Sequence, residues 1–402
     1  MNTERLTFQT QAAADIVRRG GLLAVPTETV YGLAANGLDA AAVEKIYEVK
    51  GRPAVKPLSL MVPGPEAIDA YCAEVPDAAR ALARQFWPGP LTIVLKAKDC
   101  VPDIVRAGGP TVGLRCPDHP LTLAALKAAG VPFAAPSANP SGLPSPKNAG
   151  EVLGYFDGRI DAVLDGGPCG IGTESTILSM AETPYRILRQ GALSEETIDS
   201  ALVEQMSIIG ITGGSGSGKT TALRVLRDLG ALVIDADAVY HELLARDETL
   251  LAAIEKRFPG TVIHHQLDRK ALAAAVFGDS EALKDLNGLT HPAVIQETIR
   301  RLRAHARNGG TAAAIDAIAL IGSGLDRLCG RTYAVVADRE TRIQRIMARD
   351  GLTRESAQQR IDAQMPDDYF VTHCSAVLHN NSTEESFSAF CKIIFMEDMH
   401  HG

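Results

Sequence analysis

The chain has 402 residues, well above the roughly 100–200 of one domain, so two domains are expected. Its 46% hydrophobic and 22% charged residues exclude a disordered chain, a collagen and a coiled-coil rod, and 5% aromatics with one Trp argue against a stacking platform for single-stranded nucleic acid. Forty basic against 48 acidic residues leave a net charge of −8, which excludes a globally polyanion-binding surface but not a local basic pocket.

The first ten residues, MNTERLTFQT, contain no apolar signal core, and no run approaches the roughly 18 apolar residues of a membrane span. Seven scattered cysteines without a CxxC pair suit reduced thiols in a cytoplasm better than disulfides or structural zinc. Short apolar runs alternate with helical patterns in both halves, which predicts an α/β protein.

In chain order, the run GLLAV (21–25) predicts a strand, followed by the polar cluster Pro26-Thr-Glu-Thr29-Val-Tyr31-Gly-Leu. AAAVEKIYEVK (40–50) predicts a helix. It ends in Lys50-Gly-Arg52-Pro-Ala-Val-Lys56-Pro, three cations within seven residues on a backbone stiffened by two prolines. Then come Phe86-Trp-Pro-Gly-Pro-Leu-Thr opening the strand LTIVL, Thr111-Val-Gly-Leu-Arg115-Cys-Pro and Ala134-Ala135-Pro-Ser137-Ala-Asn139, with Gly172-Thr-Glu-Ser175 and Arg189-Gln-Gly behind them. No Walker loop, GxGxxG or metal-ligand spacing occurs in this half. From residue types alone, Lys50, Arg52, Lys56, Arg115 and Arg189 either converge on a polyphosphate or are solvated loop charges, and spacing does not decide between the two.

As an ordered set, these motifs resemble the TsaC/YrdC-type threonylcarbamoyl-AMP synthases over roughly residues 8–192. The resemblance implies a twisted mixed sheet with helices and a concave cationic pocket. It implies a reaction joining L-threonine, bicarbonate and ATP into threonylcarbamoyl-AMP with release of pyrophosphate. Partner proteins would pass the group to an adenosine beside the tRNA anticodon, so that contact with tRNA is indirect. By the same resemblance Lys50 and Arg52 are catalytic, and Arg52, Lys56, Thr111, Ser137, Asn139, Ser145 and Arg189 face ATP. Thr29, Arg115, Ala135 (through its backbone) and Ser175 face threonine. Met61 stands where longer relatives often carry His. A basic pocket gripping RNA without catalysis is the alternative. Its weakness is that residues 1–206 carry 18 basic against 23 acidic groups and no aromatic row.

The acidic stretch LSEETIDSALVEQ (193–205) predicts a closing helix capped by Ser194. Met206-Ser-Ile-Ile-Gly then reads like the opening of a separate protein. The seam is expected at 203–207, giving domains 1–204 and 207–402.

The apolar run after Met206 leads into Gly213-Gly214-Ser215-Gly216-Ser217-Gly218-Lys219-Thr220 and a helical stretch, TALRVLRDLG. Glycines there let consecutive N–H groups converge on phosphate oxygens at the positive end of the following helix. Lys219 would reach the β- and γ-phosphates, and Thr220 would ligate Mg²⁺. A second strand, Ala231–Ile234, leads to Asp235-Ala-Asp237, carboxylates that either take a hydroxyl proton or cap the next helix.

With DADAVYHELL (235–244), LDRKALAAAVF (267–277), LNGLTHPAV (286–294) and TRIQRIMARDGLTRESAQQRIDAQ (341–364), this half resembles the dephospho-coenzyme A kinases over 207–402. The resemblance implies a P-loop kinase with a parallel sheet and a helical lid, moving the γ-phosphoryl group of ATP to the ribose 3′-hydroxyl of dephospho-coenzyme A. Asp237 would be the base and His291 would lie near the acceptor. Arg342, Arg345 and Arg349, at i, i+3 and i+7, would share one face of the lid. Uridine kinases have a similar loop, but the DADxxxHELL and THP blocks favour the coenzyme A reading. Ile318 and Gly322 stand where Pro and Glu are expected, which leaves open an inactive nucleotide-binding half. His264-His265 and His400-His401 lack a third ligand, and Cys116 is expected to be a packed thiol.

Overall fold

The structure, a computed structural model, describes residues 2–400, the side chain of His400 excepted. The chain divides into two compact units, one running to Leu202 and the other starting at Val203, with Arg307–Gly309 grouped with the first. Among the described residues no helix is long and apolar enough to cross a membrane, and all seven cysteines are free.

The first unit is built on a mixed sheet. Its strands run in the order Glu4–Leu6, Ala162–Leu164, Leu23–Val25, Gly32–Asn36, Phe133–Ala134, Ser59–Met61, Thr111–Arg115, Leu91–Ala97, Thr176–Ser179 and Arg186–Arg189, with Cys72–Ala73 paired to Leu91–Ala97. The helices Thr10–Arg18 and Pro120–Ala129 pack Ala13, Ala14, Ile16, Val17, Ala125 and Leu126 into one core with its strands. Strand ends gather the motifs. Met61 and Arg115 are the last residues of neighbouring parallel strands and are in register. Ser175 precedes a strand whose first residue pairs with Leu91, and Arg189 pairs with Ile177.

The helix Ala40–Lys50 starts where the Asp39 carboxylate accepts from the amides of Ala41 and Ala42, and it ends at Gly51 in the left-handed conformation. Lys50, the last helical residue, is buried, and Arg52, just past the turn, is half-buried. The helix Glu195–Glu204 begins with the Ser194 hydroxyl accepting from the Thr197 amide, as the acidic pattern predicts.

The second unit carries five parallel strands in the order Leu232–Asp235, Ala312–Asp316, Ser207–Thr212, Arg331–Val336, Ala376–His379. In such a sheet, ligands bind beyond the carboxyl ends of the strands, where the order reverses beside the first strand. The phosphate-binding loop occupies that position, ahead of the helix Lys219–Asp228. His264 and His265 form the left-handed two-residue turn between the short strands Val262–Ile263 and Gln266–Leu267. No cluster of three His, Cys, Asp or Glu side chains suited to a metal ion occurs among the described residues. His401 and the His400 side chain lie outside them.

The core of this unit joins Ile209, Ile211, Leu226, Tyr333, Phe387 and Phe395. The Phe395 ring meets Tyr333 edge-on, with centroids 5.6 Å apart. Phe395→Ala is expected to cost the second unit about 3–5 kcal/mol through lost burial and the cavity left behind. Urea unfolding of the full chain followed by Tyr fluorescence and circular dichroism checks this, the first unit's transition staying in place.

Two candidate active sites

In the first unit, Arg52, Arg115, Ala135, Ser137, Ser175 and Arg189 line one cavity of about 140 Å³, together with Tyr31, Ser59, Met61, Thr92 and Glu174. Arg115 is only 7% exposed. Its Nη2 donates to Glu28 Oε1 and Thr29 Oγ1, both at 2.8 Å, and its Nε to the Gly89 carbonyl at 3.3 Å. The Arg189 guanidinium donates to the Ser175 carbonyl at 2.8 and 3.2 Å, and the Ser175 hydroxyl is 2.8 Å from that of Thr92. Arg52 donates to the carbonyls of Lys56 and Pro57, which folds the Pro-rich loop back on itself at the cavity's edge.

The remaining sequence-predicted residues stand outside this lining. Lys50 is buried and donates to the carbonyls of Ser137 and Asn139, so that it ties the helix end to the Ser-Ala-Asn loop. Burial, with Arg52 adding repulsion, pushes its ammonium down to about 7. Its contacts are those of a strut behind the cavity. Thr29 is fully buried, its hydroxyl accepting from Arg115 and 2.9 Å from that of Thr27. Asn139 is buried with its amide on the Pro140 and Leu143 carbonyls. Ser145 donates to Glu174 at 2.7 Å, a bond that holds that carboxyl below its ordinary range. Lys56 is exposed. Thr111 opens the strand that Arg115 closes, on the same face but two pleats away. Sequence reasoning assigned no role to Glu28 or Glu174, although both sit inside quoted motifs; an acid next to a site threonine or serine was the available signal.

In the second unit, Gly214, Ser215, Gly216, Gly218, Lys219, Thr220, Asp237, Arg345 and Arg349 share one cavity of about 610 Å³ with Asp235, Asp316, Ile318 and Arg360. Gly213 and Gly218 have φ of +138° and +103°. A Cβ at Gly218 would strike the buried Asn380 amide, and one at Gly213 the Val335 carbonyl. Lys219 Nζ donates to the Gly213 carbonyl at 2.7 Å. Burial pushes its ammonium down, against the pull of Asp316 and Asp237. Asn380 donates to the Ser217 carbonyl at 2.8 Å and accepts from Arg345 at 3.3 Å.

Arg342 departs from the expected lid face. It is 4% exposed, with Nε on the Ser215 carbonyl at 2.9 Å and Nη1 on Asp367 at 2.8 Å. Buried beneath the loop, it props the loop from below, and the arginines that line the cavity are Arg345, Arg349 and Arg360. The i, i+3, i+7 spacing fixes a common helix side, but only packing says which member the loop covers.

His291 lines a neighbouring, mostly apolar cavity of about 270 Å³ with Tyr240, Leu286, Asn287, Val294 and Leu325. Asp237 lines both cavities. Partial desolvation in the cleft, then the charge of Asp235, raises the Asp237 carboxyl above its ordinary value. Asp235 itself caps the helix Ala236–Arg246, accepting from the Ala238 amide at 2.9 Å. Gly322 has φ of +86°, a backbone that disfavours the expected Glu, and Ile318 is 43% exposed at the cavity wall.

Asp316 is in register with Asp235 on the adjacent strand and has a buried Oδ1 without a hydrogen-bond partner. Its signal was the one that singled out Asp235, a carboxylate closing an apolar strand. Burial raises it from 3.8 to about 6, with Lys219 pulling the other way. A raised folded-state value means that stability from this group is fully present below the unfolded value and is lost as pH rises through about 6. Asp316→Asn removes that loss. The melting temperature of the ligand-free variant, relative to the parent, is expected to rise between pH 4 and pH 7; a pH-independent difference would contradict it.

Residues 15–191 match the model of the Sua5/YciO/YrdC family, described as telomere recombination, and residues 207–385 match that of CoaE, dephospho-CoA kinase. The chain is 44% identical over 197 residues to the threonylcarbamoyl-AMP synthase of Pyrococcus abyssi, covering 49% of this chain and 58% of that protein. It is 36% identical over 201 residues to a Mycobacterium tuberculosis protein named for the same activity, covering 50% of this chain and 92% of that one. It is 40% identical over 182 residues to the dephospho-CoA kinase of Geobacter sulfurreducens, covering 45% of this chain and 92% of that one. The chain spans about half the length of the longer synthases it matches. Its first half thus belongs to the Sua5/YciO/YrdC family and its second half to the dephospho-CoA kinase family, so that the chain is a fusion of the two.

Proposed function

We propose that the chain is a bifunctional enzyme with catalytic domains 1–204 and 207–402. The second makes coenzyme A by moving the γ-phosphoryl group of ATP to the 3′-hydroxyl of dephospho-coenzyme A. The observation that carries this reading is Asp237, a carboxylate on the shared wall of a phosphate-binding cavity and an apolar one. ATP in the first cavity lays its phosphates on the loop amides and Lys219, and the acceptor nucleoside in the second brings its hydroxyl to Asp237. Asp237 takes the proton as the oxygen attacks, and Arg345, Arg349 and Arg360 face the charge that spreads over the transferred group.

Magnesium, which keeps most of its own water, suits this cavity, because Thr220 and Asp316 supply hard oxygen donors and the Asp316 Oδ1 is otherwise unpartnered. Thr220 and Asp316 are the residues that would hold it, where it would neutralise phosphate charge. The departures at Ile318 and Gly322 leave the loop, Lys219 and Asp237 in place, which favours an active kinase over a retired one.

The first domain condenses L-threonine, bicarbonate and ATP into threonylcarbamoyl-AMP and pyrophosphate. Its cavity, at about 140 Å³, is smaller than the roughly 300 Å³ at which pockets for drug-sized ligands begin. That size suits an amino acid inside, against Arg115 and Ser175, with the nucleotide at the rim beside Arg52, Ser137 and Arg189. The one lining carboxylate, Glu174, is taken up by the Ser145 hydroxyl, which holds it below its ordinary range and makes it a weak base, so positioning of the reactants and cations for the departing pyrophosphate carry the reaction. Threonylcarbamoyl-transfer proteins would consume the product, and tRNA contact would be indirect.

A paired assay on the full chain tests both halves. One arm follows threonine- and bicarbonate-dependent pyrophosphate release, the other ADP formation with dephospho-coenzyme A. Lys219→Ala is expected to abolish only the second. Asp237→Asn should lower the kinase kcat by about 10²–10⁴-fold, the usual worth of a general base. In the parent, activity should fall as pH drops through the raised Asp237 value, since the protonated carboxyl no longer accepts. Pyrophosphate release without ADP formation would identify the second half as an inactive nucleotide-binding domain.

A further inference from the structure

Arg115 has five N–H donors, and the protein uses three of them: Nε on the Gly89 carbonyl and both on Nη2, to Glu28 and Thr29. Its Nη1 has no hydrogen-bond partner among the described residues, yet the side chain lines the cavity. The two N–H groups of Nη1 are thus what the guanidinium offers a ligand.

Their direction depends on what holds the opposite edge of the plane. The Thr29 hydroxyl and the Gly89 carbonyl are neutral; Glu28 is the one charged partner, and the pair is nearly dry, with side-chain exposures of 8% and 12%. Glu28 is itself anchored. Its Oε2 accepts from the Asp118 amide at 3.0 Å, and its own carbonyl accepts from the Ile171 amide at 2.8 Å. One carboxylate therefore spans the loop after Val25 and the turn after the strand Thr111–Arg115, with Arg115 between them. It also cancels the charge of Arg115, so the inner wall recognises a carboxylate by the aim of Nη1 rather than by net charge. The positive field belongs to Arg52 and Arg189 at the rim, where a triphosphate would need it.

We propose that Glu28 is a positioning residue for amino-acid recognition: it does not contact the substrate but fixes the Arg115 guanidinium so that Nη1 meets the substrate's α-carboxylate. The inference deepens the synthase reading proposed above and rests on it.

The test uses the full chain, the parent beside Glu28→Gln and Glu28→Ala. The Gln variant keeps the shape of the side chain and removes its charge; the Ala variant leaves a buried guanidinium unpaired and is scored only if its circular dichroism matches the parent. Two readouts are taken. Phenylglyoxal modification of Arg115, followed by mass spectrometry of its peptide, reports the mobility of the guanidinium with no ligand present. KM for L-threonine and for ATP in pyrophosphate release reports its consequence.

In Glu28→Gln, Arg115 is expected to react several-fold faster and the KM for threonine to rise by at least about 30-fold, the lower end of what breaking a desolvated charge pair costs. The KM for ATP should stay within about two-fold. Unchanged Arg115 reactivity with parental threonine KM overturns the proposal. A parallel loss of threonine affinity, ATP affinity and melting temperature overturns it as well, because it assigns Glu28 a general structural role. If the parent itself shows no threonine dependence, the synthase reading falls, and the phenylglyoxal comparison alone decides whether Glu28 holds Arg115.

Discussion

A guanidinium as far out of water as that of Arg115 is tolerated only when its N–H groups meet oxygens on several sides and its charge meets a carboxylate. That requirement explains why segments distant in sequence are built as they are. The Pro-Thr-Glu-Thr turn supplies Glu28 and Thr29, and the Trp-Pro-Gly-Pro turn turns the Gly89 carbonyl inward. Lys50 makes a similar demand one layer behind. Having no carboxylate, it takes the carbonyls of Ser137 and Asn139 and, pushed toward neutrality by burial, stands as an internal tie. The small cavity is what remains between these anchored cations.

The second unit meets the same constraint with opposite charges. Three strand-end or helix-start carboxylates, Asp235, Asp237 and Asp316, face a loop whose ammonium, Lys219, lies among them. Burial makes each charge costly, so the carboxyls of Asp237 and Asp316 are raised and the ammonium of Lys219 is lowered. Beneath the loop, Arg342 and Asn380 hold the Ser215 and Ser217 carbonyls, and Gln364 takes the Ser215 amide and hydroxyl, so that the loop's course is fixed by side chains.

Much of this was legible in the chain itself. Apolar runs ending in Asp235 and in the glycine-rich loop named the carboxyl edge of a parallel sheet, and the helix over Ala40–Lys50, with Gly51 behind it, was readable residue by residue. The Ser194 cap of the helix Glu195–Glu204 was equally plain. Legibility failed where one pattern serves two roles. Arg342, Arg345 and Arg349 are indistinguishable by spacing, yet Arg342 is a buried prop and the others face the cavity. Lys50 and Arg52 are two residues apart, yet Lys50 is a buried tie and Arg52 lines the cavity, with the helix ending at Gly51 between them.

Local chemistry, then, was determined by sequence: which segments are strands, where a loop can cradle phosphate, which motifs travel together, and that the chain holds two α/β halves. These depend on side-chain periodicity, glycine freedom and capping, which act over a few residues. Only the tertiary structure decided which charged groups line a cavity and which hold it open, that Asp237 borders two cavities, and that Glu28 rather than a solvent shell balances Arg115. Those facts depend on burial, and burial is a property of how distant strand ends converge, which no local pattern encodes.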